Sequence, residues 1–156
     1  MDIITTLQVL VFGVYIGIVW YRFGVLEAIS YSAYKWEGEK KWYFLLFMFL
    51  LGALNLLQNM EVYGVLTTAG LLFTGITVDY KENIAGGRWV HIVGVVTAIL
   101  STFIGLWVLY GLWWLFPLFL IGSLAIYTDP FTRPWTLVWW IEILAFLIIC
   151  LGYYAR

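Results

Sequence analysis

Glu142 is the side chain whose position most demands a chemical reason. It stands in Trp139-Trp140-Ile141-Glu142-Ile143-Leu144-Ala145, a stretch otherwise without charge. It lies seven residues beyond Trp135, where the apolar run opens, or roughly 10 Å along a helix that rises 1.5 Å per residue. On insertion scales an ionisable group at the centre of a spanning helix costs about 2.5–3.5 kcal/mol for Asp, Lys or Arg. A group placed so deep faces neighbouring helices or a wet cavity. There a carboxyl can handle a proton, contact a ligand, or simply hydrogen-bond two helices together. The neighbours expected at matching depth are Thr74, Tyr15 or Gly17, and Gly94 or Thr97, with no Lys or Arg among them.

His91, the only histidine, is the second candidate. It ends the longest polar interval in the second half of the chain, residues 77–91, which also holds Asp79, Lys81, Glu82 and Arg88. With Asp79, Glu82 and Asp129 on the same side it could form an acid–base or metal site. A closed zinc site draws on several His or Cys ligands, and this chain has one of each, so no metal is expected. A His–carboxylate pair tying the loop to a helix end is the plainer role. Residues 84–88 carry two glycines before a helix start, a place where anions bind, yet they match no phosphate-loop or dinucleotide fingerprint. No Ser or Cys stands in a recognisable nucleophile elbow. Cys150 lies inside an apolar run and reads as a structural thiol. No cofactor is expected.

The elements that must position these groups follow from composition. Of 156 residues, 64% are hydrophobic and 11% charged, against about 45–50% and about 25% in soluble domains. Ten Trp, eleven Tyr and eleven Phe suit the aromatic belts found where a membrane meets water. A net charge of −1 gives no basic surface, so nucleic acid is not an expected partner. Residues 1–3, Met-Asp-Ile, lack the basic leader of a cleaved signal, so the first apolar run is expected to stay as a helix.

A spanning helix needs about 20 apolar residues. Candidates are residues 3–21, 42–58, 62–78, 89–110, 112–127 and 135–154. The fourth and fifth could not be one bent helix, since together they would run about 57 Å. Six spans are preferred, with five as the fallback. Six place Arg22, Lys35, Lys40, Lys41, Lys81, Arg88 and Arg133 on one side and leave Arg156 on the other. Basic loops mark the cytoplasmic side, so both termini are expected outside a cytoplasmic (inner) membrane. Residues 23–41 mix apolar and charged side chains. They read either as an interfacial helix or as an extension of the first helix followed by a charged turn.

Helix contact in lipid relies on small and hydrogen-bonding residues, and each run has some. The first offers Gly13 and Gly17; the second Gly52, Asn55 and Asn59; the third Thr67, Gly70, Thr74 and Thr77. The fourth offers Thr97, Ser101 and Gly105, and the fifth Gly122 and Ser123 after Pro117, where a kink is expected. Such seams serve either as a polar pathway or as ordinary packing.

Residues 23–34, Phe-Gly-Val-Leu-Glu-Ala-Ile-Ser-Tyr-Ser-Ala-Tyr, and the region from Asp79 to His91 resemble small six-span membrane proteins of Bacteroidetes-type bacteria and their phages. Those show a Phe-Gly-Val-Leu-Pro-Ser-Ile-Ser-like stretch after the first helix; here Glu27 stands where they tend to have Pro. The resemblance covers about half the chain and implies a membrane bundle but no activity.

These readings describe an all-α, polytopic transmembrane helical bundle of about six spans. The expected function is non-enzymatic: a small transporter or channel-like oligomer, with Glu142, His91, Asp79, Asp129 and Thr74 as candidate ligand or proton sites. The alternatives are an accessory subunit of a larger membrane complex, and a lipid-modifying enzyme using Asp79, His91 and Asp129. The expected partners are the lipid bilayer and either further copies of the chain or other membrane subunits.

Overall fold

The structure is a computed structural model that describes residues 3–36, 42–76 and 85–156, with side chains from residue 89 onward in the last segment. Asp79, Lys81 and Glu82 lie outside the described residues, as do residues 37–41 of the mixed segment.

Among the described residues every regular element is helical. The long helices are α1 (Ile3–Phe23), α3 (Trp42–Gln58), α4 (Val62–Ile76), α5 (Ala85–Tyr110), α6 (Leu115–Thr128) and α7 (Leu137–Ala155). A single helical turn, α2 (Ser32–Lys35), follows a 3-10 turn at Ile29–Tyr31, and a second 3-10 turn, Pro134–Thr136, leads into α7. Three helices, Ile3–Phe23, Trp89–Tyr110 and Pro134–Ala155, are long and apolar enough to cross a membrane. Trp42–Gln58, Val62–Ile76 and Leu115–Thr128 are apolar but shorter. Their 17, 15 and 14 residues cover about 21–26 Å, less than a hydrocarbon layer of about 30 Å.

Helices adjacent in sequence pack as neighbours along α1, α3, α4 and α5, and α6 pairs with α7, which closes onto α1 and α5. The tightest approach is between α4 and α5. A Cβ on Gly70 would come 2.6 Å from the Gly94 carbonyl oxygen and 2.7 Å from the Ala98 nitrogen, so only glycine permits these two backbones to touch. Asn55 ties three helices. Its Nδ2 donates to the Gly64 carbonyl (3.0 Å) and Thr68 Oγ1 (3.2 Å), and its Oδ1 accepts from the Tyr153 hydroxyl (3.3 Å).

Two apolar clusters fill the interior. One joins Phe12, Tyr15, Phe44, Phe47 and Trp139, with Phe146 stacked on Phe12 at 3.7 Å and Phe47 on Tyr15 at 4.0 Å between ring centroids. The other joins Phe103, Leu106, Leu115, Ile148 and Tyr153. The outside is apolar too: Val14, Phe49, Trp107, Ile121 and Leu124 are among many exposed large side chains. An outward face of this kind suits lipid, where a soluble monomer would be prone to associate.

Two expectations about local structure need correcting. Pro117 does not kink the interior of a helix, because α6 begins at Leu115 and the proline falls in its first turn. There its missing N–H would have had no intrahelical partner in any case. Gly13 and Gly17 do not form an internal seam, since nothing lies within 4 Å of a Cβ built on either. They sit on the outward face of α1, away from the inward-facing Phe12 and Val19.

Candidate functional site

The site begins with the segment between α1 and α3. Helix α1 ends at Phe23, and Gly24 takes a positive φ of 73°, a left-handed turn that glycine makes at no steric cost. The chain turns back instead of extending, and Leu26, Ile29, Ala33 and Trp36 enter the core. Ile29 and Ala33, four residues apart, share one side of the segment's helical turns, and Leu26 and Trp36 flank them from the irregular backbone on either side.

A reversal of this kind leaves main-chain donors without partners. Ile29 opens a 3-10 turn, and the preceding residue, Ala28, is extended (φ −154°, ψ 162°) with no side-chain cap. The first N–H groups of any helical turn lack intrahelical acceptors. Here the acceptor comes from α7: the Ile29 N–H donates to Glu142 Oε2 at 2.6 Å. One turn earlier on α7, the Trp139 N–H donates to the Glu27 carbonyl at 3.2 Å. The Ile29 carbonyl is held as well, accepting from Ser32 Oγ at 2.6 Å. Since that hydroxyl proton is committed, the Tyr15 hydroxyl donates to Ser32 Oγ, at 2.7 Å. Glu142 therefore acts as the cap of a segment distant in sequence, and α1, the segment and α7 are joined by one hydrogen-bonded chain.

Glu142 also lines a central cavity of about 140 Å³, roomy enough for several waters, each of which needs on the order of 10–15 Å³ of such space. The wall is mostly apolar, with Phe12, Phe47, Leu51 and Leu71 prominent. Polar groups cluster towards its two ends. Glu142, Ser30 and Thr74 belong to one end, and Gln8, Asn55 and Tyr153 to the other. Eleven positions separate Glu142 from Tyr153 on α7, about 16 Å along the axis. Between them Thr67 and Thr102 share a 3.0 Å hydroxyl contact, and each also donates to a carbonyl of its own helix, Tyr63 and Ala98. Gln8 is buried.

Thr74 shares the cavity with Glu142, although its hydroxyl is turned back to the Gly70 carbonyl at 2.8 Å. Of the other expected neighbours, Tyr15 bonds Ser32, while Gly94 packs against Gly70 and Thr74. His91 is buried beside this end of the bundle, with Nδ1 3.2 Å from the Thr74 carbonyl. A carbonyl only accepts, so Nδ1 carries the hydrogen. Thr74 lies in the last turn of α4, where carbonyls lack intrahelical donors, and His91 therefore caps α4 from α5. Asp129 is exposed and bonds within its own turn, Oδ1 to the Phe131 N–H (3.1 Å) and Oδ2 to Thr132 Oγ (3.0 Å). The structure thus brings Glu142 and Thr74 to one cavity, places His91 beside them, and engages Asp129 locally. Among the described residues no three His, Cys, Asp or Glu side chains gather as a metal cluster.

Sequence reasoning did not identify Gln8 or Cys150 as cavity-lining residues, nor Ile29 as the partner of Glu142. No protein-family model, curated protein or solved structure matches this chain.

Proposed function

We propose that this chain is an integral membrane protein of six spanning helices, a small non-enzymatic transporter or channel-like unit that carries a small cation, the proton included, past Glu142. The observation that carries this reading is the placement of Glu142. Its carboxylate caps Ile29 with one oxygen and lines a cavity shared with Ser30 and Thr74. A carboxylate offers about four acceptor sites, so the hydrogen bond to Ile29 leaves capacity for a cation or proton. Intramembrane carboxyls facing a cavity mark ion and proton pathways. Irregular backbone at membrane depth is tolerated where it is buried in protein or lines a cavity, and the reversal here buries Leu26 and brings Ile29 and Ser30 to the cavity wall.

The basic loops support an orientation in a cytoplasmic-type membrane with both termini outside and residues 24–36 at the inner end. Gly13 and Gly17, outward and without neighbours within 4 Å, support assembly. A small-xxx-small face permits close helix contact in lipid, with further copies of the chain or, in a second reading, with a larger complex to which this chain is accessory. The resemblance to six-span bacterial membrane proteins stands as a proposal about ancestry. Nothing among the described residues favours the lipid-modifying alternative, since Asp129 is engaged in its own turn.

The test is flux into liposomes. Purified protein reconstituted under an applied potassium diffusion potential is expected to pass protons or a monovalent cation faster than protein-free vesicles. Flux equal to that of empty vesicles for every monovalent cation tried, from protein shown to be folded, counts against it.

A further inference from the structure

A second feature lies on the outside of the bundle. Between α1 and α3 runs a groove of about 580 Å³. Its α1 wall is Leu10, Val11, Val14, Tyr15 and Ile18, and its α3 wall includes Tyr43, Leu46 and Leu50. The groove differs from the rest of the apolar exterior in how it ends. Trp36 closes it, with Tyr43 meeting the Trp36 ring edge-on at 5.2 Å. The Arg22 guanidinium lies over the same ring, 5.6 Å from its centroid, within cation–π range. Arg22 also continues the α1 wall, since Val11, Val14, Ile18 and Arg22 follow one another at steps of three and four residues along a single face. An apolar channel therefore leads to an exposed cation lying on the Trp36 ring, which Tyr43 meets on another side.

Arg22 makes no ion pair among the described residues, and its side chain is exposed. A guanidinium presents a planar fork of donors suited to a phosphate. Tyr and Trp beside it are the residues that sit at headgroup level, and basic pockets between helices on the cytoplasmic side hold anionic headgroups. We infer that an anionic glycerophospholipid binds here, one acyl chain in the α1–α3 groove and its phosphate on Arg22. A second copy of this chain fits less well, because a two-fold axis along the membrane normal would set the two Arg22 side chains at the same depth, facing each other. The inference rests on the membrane reading but not on transport.

Native mass spectrometry of the detergent-purified chain, titrated with phosphatidylglycerol or phosphatidylcholine of matched chains, tests it. One phosphatidylglycerol is expected to bind each chain in preference to phosphatidylcholine. Arg22→Gln should weaken that binding about tenfold, the scale of one charge-assisted contact, with Arg22→Lys recovering part of it. Val14→Trp, which fills the groove, should remove the tight site while leaving Arg22 in place. Arg22 is exposed at a helix end, so its substitution does not threaten the fold. Equal binding of the two lipids, or phosphatidylglycerol binding unchanged in Arg22→Gln, overturns the inference. So does a protein dimer that excludes lipid and is lost in Val14→Trp.

Discussion

The Ile29 N–H donates to Glu142 Oε2 at 2.6 Å across 113 positions of sequence, and this one contact joins the reversal after α1 to the first turns of α7. It gives Glu142 two separable roles. One is to satisfy a main-chain donor that would otherwise lack a partner; the other is to present a carboxyl to the cavity.

The structural role predicts a difference between two substitutions. Glu142→Ala leaves the Ile29 N–H without its acceptor and should destabilise the protein by about 1–3 kcal/mol. Glu142→Gln keeps an acceptor oxygen on a side chain of nearly the same shape, and should lower stability by less than about 1 kcal/mol. Thermal unfolding in one detergent, comparing both variants with wild type, measures this. Equal losses would mean that the hydrogen bond to Ile29 contributes nothing specific.

Helix packing predicts a contrast between glycines. Gly70→Ala drives a methyl group into the backbone of α5, with atoms at 2.6 and 2.7 Å, and should cost about 1–3 kcal/mol as overpacking does. Gly17→Ala adds a methyl where nothing lies within 4 Å, and should not destabilise the monomer, since alanine favours a helix interior over glycine by about 0.5–1 kcal/mol. A Gly17→Ala variant as destabilised as Gly70→Ala would show that α1 uses this face inside the bundle.

Cys150 provides a native probe, since it is the only cysteine and it lines the cavity. Thiol reagents attack the thiolate, so a buried thiol such as Cys150 reacts only where water reaches the sulfur and lets it ionise. A small cationic methanethiosulfonate should modify Cys150 in reconstituted protein and reduce flux by more than half, while Cys150→Ala should be insensitive. Absence of labelling by mass spectrometry, with full labelling after denaturation, would show that the cavity is closed to solutes of that size.

What could be read from the sequence differs from residue to residue for physical reasons. That the apolar runs are helical follows from their length and composition, because a long apolar chain must satisfy its backbone internally. Glu142 stood out for the same reason, as a lone carboxyl in an apolar helix. Its partner did not, because a search for a matching charge or hydroxyl passes over a main-chain N–H, and nothing in residues 24–31 labels Ile29 as a donor. A partial signal existed: Leu26, Ile29, Ala33 and Trp36 recur at helical spacing, which argues for an inward face, yet the charges interspersed among them favoured a surface reading. The outward direction of Gly13 and Gly17 was equally hidden, since a small-xxx-small pair looks the same whether it faces its own bundle or another chain. Pro117 was legible as a helix breaker, but whether it kinks a helix or starts one depends on where the first turn forms.

Whether cations or protons pass by way of Glu142 is decided by their flux through Glu142→Gln in liposomes, measured beside wild type at equal protein density. The variant is expected to fold and reconstitute normally, with flux at least tenfold lower, towards that of empty vesicles. Wild-type flux from Glu142→Gln would contradict passage by way of Glu142, and would leave the carboxyl with the single task of capping Ile29.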